Sequence, residues 1–182
     1  MNTSSVISQN IADVQLWQRR VGLIDVSSGQ KIDLLHHPEY AILRSHFSPD
    51  DLWIAFHALG KAGTPLFIAP FRGSASGEND WIRVTDGTTL DNVPRWSPDG
   101  NQLYFTSERD GFRCIWKQPL DEKTRKPRGP AVPLHHFHNV QRSLSNVNVI
   151  YLEISVARDK IVFPLSERSG NIWMAELSQN RK

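Results

Sequence analysis

The sequence has a single cysteine, Cys114, in 182 residues. One thiol excludes an intramolecular disulfide framework and a multi-thiolate zinc site. It leaves the compartment open, because one buried thiol is stable inside or outside the cell. Charge of one sign is lacking too. Lys plus Arg number 21 and Asp plus Glu 19, giving a net charge of +2, so bulk charge makes no case for nucleic acid. No run approaches the roughly 18 apolar residues of a membrane-spanning helix. Residues 1–16 have neither a basic n-region nor a continuous apolar stretch, and read as a polar tail rather than a signal peptide. No long segment carries a helical 3.6-residue period. P-loop, G-x-G-x-x-G, C-x-x-C and H-E-x-x-H strings are missing. Low complexity is missing as well: 11 Gly and 11 Pro are ordinary globular usage. At 39 % apolar residues there is enough material for a core, which argues against wholesale disorder.

What the sequence does have is six tryptophans (Trp17, Trp53, Trp81, Trp96, Trp116 and Trp173) and an internal repeat. Residues 48–56 read SPDDLWIAF, residues 97–105 SPDGNQLYF and residues 155–163 SVARDKIVF. They align without a gap, 49 and then 58 positions apart. A second motif follows: SERDG at 107–111 and SERSG at 166–170, leading into Ile115-Trp116 and Ile172-Trp173. Ser-Pro-Asp-Gly is turn chemistry, since Pro presets its own φ and Asp-Gly suits a tight turn. Aromatic and aliphatic strand formers lie on both sides of it. Each repeat then reads as four short strands: one ending at the Ser-Pro-Asp turn, one after it, a third at 65–69, 113–118 and 171–176, and a weaker fourth at 81–85 and 131–135. Four strands per 49–58 residues is the pattern of a β-propeller blade.

The SPDG turn, the following LYFTSERDG and then IWKQPLD resemble TolB-like propeller repeats, relatives of WD-repeat propellers. The resemblance runs over residues 40–177 and is strongest at 91–121. Asp51 stands where the repeat has Gly, and Val156-Ala157-Arg158 replaces Pro-Asp-Gly. The repeat motif comprises Ser48, Pro49, Asp50, Ser97, Pro98, Asp99 and Gly100, with Trp96, Trp116 and Trp173 as its core aromatics. The resemblance implies an all-β fold, an incomplete β-propeller of about three to three and a half four-stranded blades. The expected frame is a polar tail at 1–16, a half blade (third and fourth strands) at 17–38, blades at 39–90 and 91–140, and a last blade at 141–182 lacking its fourth strand. Fewer than four blades falls short of known rings. The chain is therefore expected to be the C-terminal portion of a larger bacterial propeller, or half of a ring completed by another chain, able to self-associate through open blade edges.

No catalytic or cofactor-binding residue is expected. His136 and His138, in PLHHFHN, are the candidates for a metal pair, because alternate strand residues share a face. A site would need further ligands, for which His46, His57 or Glu153 are available. The reading preferred here is half-exposed imidazoles on an interblade strand, with no metal. Gly73-Ser74-Ala75-Ser76-Gly77 has Ala at the nucleophile position of a hydrolase elbow and reads as a flexible surface loop. Glu108-Arg109-Asp110 and Glu167-Arg168 recur, which favours a structural role over a catalytic pair. Asp50 and Asp99 are expected to bond turn amides, and no D-x-D-x-D calcium loop is present. The basic stretch KQPLDEKTRKPR at 117–128 reads as a solvated loop. The functional expectation is a non-catalytic scaffold or binding module for a protein or peptide, with no nucleic-acid or membrane contact. The alternative is the propeller portion of a prolyl-oligopeptidase-like peptidase whose hydrolase domain lies elsewhere.

Overall fold

The computed structural model describes residues 20–61 and 63–170. The polar tail, Trp17, Trp173 and the third strand expected at 171–176 lie outside the described residues. Fourteen strands follow one another among the described residues, with two short 3-10 turns and no α-helix. None of these residues forms a helix long and apolar enough to cross a membrane. The strands β1 (Arg20–Ile24) and β2 (Lys31–His36) form an antiparallel hairpin. Next come β3 (Ala41–Phe47), β4 (Trp53–Leu59), β5 (Leu66–Pro70) and β6 (Ile82–Arg83), which pair in chain order as one antiparallel sheet. A second sheet repeats this meander with β7 (Asn92–Trp96), β8 (Gln102–Ser107), β9 (Cys114–Pro119) and β10 (Val132–His135). The last region holds β11 (Arg142–Ser143), β12 (Ser155–Val156), β13 (Ile161–Val162) and β14 (Ser166–Glu167), with β12 paired to β13 and β11 to β14. Successive four-stranded antiparallel meanders are the blades of an incomplete propeller.

The core lies between the sheets. Ala55, Leu66 and Ile68 of the first blade meet Trp96, Leu103, Phe105 and Trp116 of the second. Leu34 and Leu35 of the hairpin meet Ile54 and Phe56 of the first blade. Val93 and Ile115 of the second blade meet Leu144, Leu152 and Ile154 beyond it. The strand β4 is buried at six consecutive positions, Ile54 to Leu59. Strands covered on both faces read as continuous apolar runs, not as alternation. Each fully buried Leu or Phe contributes about 1.5–3 kcal/mol.

The repeated turns have the same wiring. In the first, the Ser48 Oγ donates to Asp50 and accepts from the Trp53 amide at 3.0 Å, while Asp50 Oδ1 accepts from the Leu52 amide at 3.1 Å. In the second, the Ser97 Oγ donates to Asp99 and accepts from the Gln102 amide at 2.9 Å, while Asp99 Oδ1 accepts from the Asn101 amide at 3.1 Å. Both aspartates sit below the ordinary carboxylate pKa, chiefly because the neighbouring serine hydroxyl bonds the charged form. The fourth turn residue is left-handed in both, with φ of 58° at Asp51 and 72° at Gly100. Trp96 adds an interblade tie, its Nε1 donating to the His46 carbonyl at 3.1 Å.

Two loop expectations change. Arg125 is not solvated: it is 8 % exposed and donates to the Gly100 carbonyl at 2.7 Å and to Asp50 Oδ2 at 3.0 Å. A guanidinium has donors enough to serve both turns at once, so one side chain of the basic stretch staples the two blades together. The 73–77 loop is not free either. Ser76 is buried and its amide donates to the Leu34 carbonyl at 2.9 Å, docking the loop on β2, while Ala75 remains exposed.

The left-handed turn position gives a paired test. Gly100→Ala lowers stability by about 1 kcal/mol, because a Cβ is disfavoured at that φ. Asp51→Gly raises it by roughly 0.5 kcal/mol for the same reason. Urea unfolding midpoints check both, and shifts of the same sign overturn the account.

Candidate functional site

Two polar groupings stand out beside the repeated Ser-Pro-Asp turns. The first is built on the innermost strands. Both β3 and β7 carry a bulge, with left-handed residues Arg44 (φ 53°) and Val93 (φ 54°) four positions before the motif serine. A bulge re-aims side chains on the strand that carries it. Arg44 and Arg95 are thereby directed onto one carboxylate, and both pair with Glu153. Arg44 also donates to the Leu152 carbonyl at 2.8 Å, and Arg95 Nε to the Ile154 carbonyl at 2.9 Å. The segment 149–154 is thus held against the inner strands of both blades. A shallow cleft opens beside Glu153 and Arg95, walled by Val162, Phe163 and Pro164.

His46 lies in this grouping. Burial first, then the charge of Arg95, pulls its pKa down from 6.5 to about 4. His57 is fully enclosed in β4, and burial pulls its pKa down to about 4 as well. Neither histidine, nor Glu153, is among the potential ligands grouped with His136 and His138, so the further ligands expected from the sequence are corrected. His46 and Glu153 lie in the inner-strand grouping, and His57 is enclosed in β4.

The second grouping is at a corner of the second blade. His136 and His138 lie just past the end of β10, with their rings 4.8 Å apart. Both turn to Asp110 in the SERDG turn: His136 Nδ1 is 2.7 Å and His138 Nε2 3.0 Å from the same oxygen, Oδ2. Cys114, the first residue of β9, completes the group, and its Sγ accepts from the Phe137 amide at 3.3 Å. One potential donor atom from each of the four residues lies within 4.8 Å of the others. Burial alone would raise the Asp110 pKa, but the bonds from His138 and His136 outweigh it and hold it below the ordinary value. Burial pushes the Cys114 thiol up, opposed by the Phe137 amide. Phe112 lies against His138 at 4.8 Å and Trp116 meets His136 edge-on at 6.0 Å.

The SERDG turn is otherwise structural. Glu108 takes the Arg113 guanidinium at 2.7 Å, and that side chain also donates to the Leu144 and Val147 carbonyls at 3.3 and 3.0 Å. Arg109 reaches the fully buried Asp91 at 3.1 Å and lies over the Phe105 and Trp116 rings. In the second copy of the motif, Glu167 lies in β14 opposite Arg142, and the Arg168 amide donates to the Gln141 carbonyl at 2.7 Å. Sequence reasoning did not single out Arg44, Arg95, Arg125 or the Asp110–Cys114 pair as a unit. The available signal was the C-terminal Cys of an Asp-x-x-x-Cys spacing beside a hairpin turn.

These features define a class, a segment of a β-propeller whose blades are tied by arginines. In comparison with solved structures, the chain is similar to TolB from Acinetobacter baumannii, with a TM-score of 0.59 at 20 % identity. The match covers 79 % of this chain and 31 % of that one. At this identity the likeness establishes the fold. No family model matches the chain, and no curated protein is similar to it in sequence.

The enclosed His57 makes stability depend on pH. Its folded pKa of about 4 lies below the ordinary 6.5. Its contribution is therefore complete above pH 6.5 and is lost as pH falls from there toward 4. The loss amounts to at most roughly 3 kcal/mol. His57→Gln flattens the stability profile in that window, as read by denaturant unfolding at stepped pH. An unchanged slope between pH 6.5 and 4 overturns the assignment. The turn aspartates act separately, below the ordinary carboxylate range.

Proposed function

We propose that the chain is a non-catalytic propeller module that binds a protein or peptide, serving as the C-terminal sensing or interaction part of a larger bacterial protein. The observation that carries this reading is the stack of blades itself. Two four-stranded sheets with their cores between them present the Ser-Pro-Asp turn again at each blade, beside loops that differ, and such arrays serve as extended binding surfaces. The carboxylates that the sequence repeats are consistent with it. Asp50 and Asp99 are held by turn amides and serines, and Glu108 by Arg113. Groups committed in this way are poor general acids or bases. That the chain matches 31 % of a propeller chain supports reading it as part of a longer ring.

The inner-strand surface around Glu153, with its cleft, is the favoured contact. It joins charge from Arg44 and Arg95 to apolar walls, the mixture that partner interfaces combine.

The test is capture with the full-length parent protein, set against the same protein lacking residues 20–170. Loss of a retained protein or peptide on deletion is the expected result. Equal retention overturns the reading, as does turnover of peptide or ester substrates by the intact chain. The isolated chain is also expected to self-associate, because blade faces and edges made to be covered are left open. Light scattering checks this, and a monodisperse monomer speaks for a self-sufficient fold.

A further inference from the structure

The corner formed by Asp110, Cys114, His136 and His138 serves no need of the propeller that its neighbours do not already meet. Arg113 and Glu108 tie the same turn to the segment that follows, and Arg109 ties it to Asp91. We propose that these four residues form a binding site for a zinc-type divalent cation, ligated by Cys114 Sγ, His136 Nδ1, His138 Nε2 and an Asp110 carboxylate oxygen. This departs from the sequence expectation of no metal, and it replaces His46, His57 and Glu153 as ligands.

The donor set fits the ion. One thiolate and two imidazoles are borderline-soft ligands of the kind zinc selects, and a carboxylate completes four. A thiolate and a carboxylate together neutralise a dication. Binding expels the Cys114 thiol proton to solvent, the imidazoles bind neutral, and Asp110 is already a carboxylate. No redox step is involved. Four protein donors fill a tetrahedron and leave no open position, which is the pattern of a structural site, not a catalytic one.

The distances fit as well. Ligand bonds of about 2.0–2.3 Å imply donor–donor separations of about 3.3–3.6 Å in a tetrahedron. Here the two imidazole nitrogens are 2.7 and 3.0 Å from Asp110 Oδ2, and the widest separation in the set is 4.8 Å. The close pairs must open slightly and the wide pair must close, both within reach of side-chain rotation.

A second observation points the same way. The Phe137 amide, between the two histidines in sequence, donates to Cys114 Sγ at 3.3 Å. Outer bonds of this kind orient a metal ligand. Here the peptide that aims the sulfur also places the histidines. The two imidazoles are half exposed and offer the entry path, while Cys114 forms the closed floor. A cation here clips the SERDG turn to the strand end that leads into the last region.

The experiment loads the chelator-stripped full chain with Zn²⁺ by calorimetry, and with Co²⁺ as a spectroscopic stand-in. One ion per chain is expected, with a thiolate-to-cobalt charge-transfer band, tetrahedral d–d intensity and a thermal midpoint that rises with Zn²⁺. Cys114→Ser removes the band. His138→Ala, at an exposed position, weakens Zn²⁺ binding by more than the roughly 10–100-fold typical of losing an outer-shell partner. His135→Ala, one residue before the site, leaves affinity unchanged. Far-ultraviolet circular dichroism confirms that each variant is folded, and should Cys114→Ser fail to fold, His138→Ala decides. Failure to bind Zn²⁺, Co²⁺ binding without the thiolate band, or equal affinity in His138→Ala and His135→Ala overturns the site.

Discussion

A sheet buried on both faces cannot stand alone, and the rest of this structure depends on that constraint. The strand β4 has no solvent face from Ile54 to Leu59, and the apolar clusters lie between sheets, not within one. Every blade therefore requires a neighbour, and the blades must stack. Stacking in turn brings together the polar ends of successive meanders. That is where the arginines act: Arg125 spans two turns, Arg113 crosses to the segment after the second blade, and Arg44 and Arg95 share Glu153. Hydrophobic burial supplies most of the stabilisation, and these charged ties fix the relative placement of elements that apolar contact alone would leave free to slide.

The same constraint bears on function. An array that covers its faces with its own repeats has its rims, loops and inner strands left for recognition. The inner-strand grouping and the Asp110–Cys114–His136–His138 corner are two places among the described residues where polar side chains from distant parts of the chain converge. One bridges the first strands of both blades and the segment that follows them, the other sits at a corner of the second blade, and they make different chemical demands. One offers charge beside an apolar cleft, suited to a peptide surface. The other offers a tight mixed donor set, suited to a cation.

Much of the architecture was legible because turn chemistry is local. Ser48-Pro49-Asp50 and Ser97-Pro98-Asp99 specify their own hydrogen bonds within five residues, so a short string carries the geometry. Strand composition carries the next level, and the strands around each turn lie close to where the pattern puts them. The arginines were not legible. Arg125 sits in a stretch rich in Lys, Arg and Pro, the composition of a solvated loop, and only the adjacent turns turn it inward. The 73–77 loop looks mobile by its Gly and Ser content, yet Ser76 finds the Leu34 carbonyl across the blade gap.

The sequence by itself determined the period, the turns, the number of strands per repeat and the aromatic cores, because these follow from residue types within reach of one another. Only the tertiary structure decided which distant groups meet. The pairing of β9 with β10 shows why. Val132 lies opposite Lys117 and Pro133 opposite Trp116, but a bulge then sets His135 opposite Ile115. Without that one-residue shift His135 would have faced Cys114. With it, the register carried one step further gives that place to His136, and the alternate residue His138 follows. Strand registry has a period of two, so a single inserted residue exchanges the faces of every side chain beyond it. No local pattern in PLHHFHN distinguishes the two outcomes, and the difference between them is a mixed-ligand cluster or none.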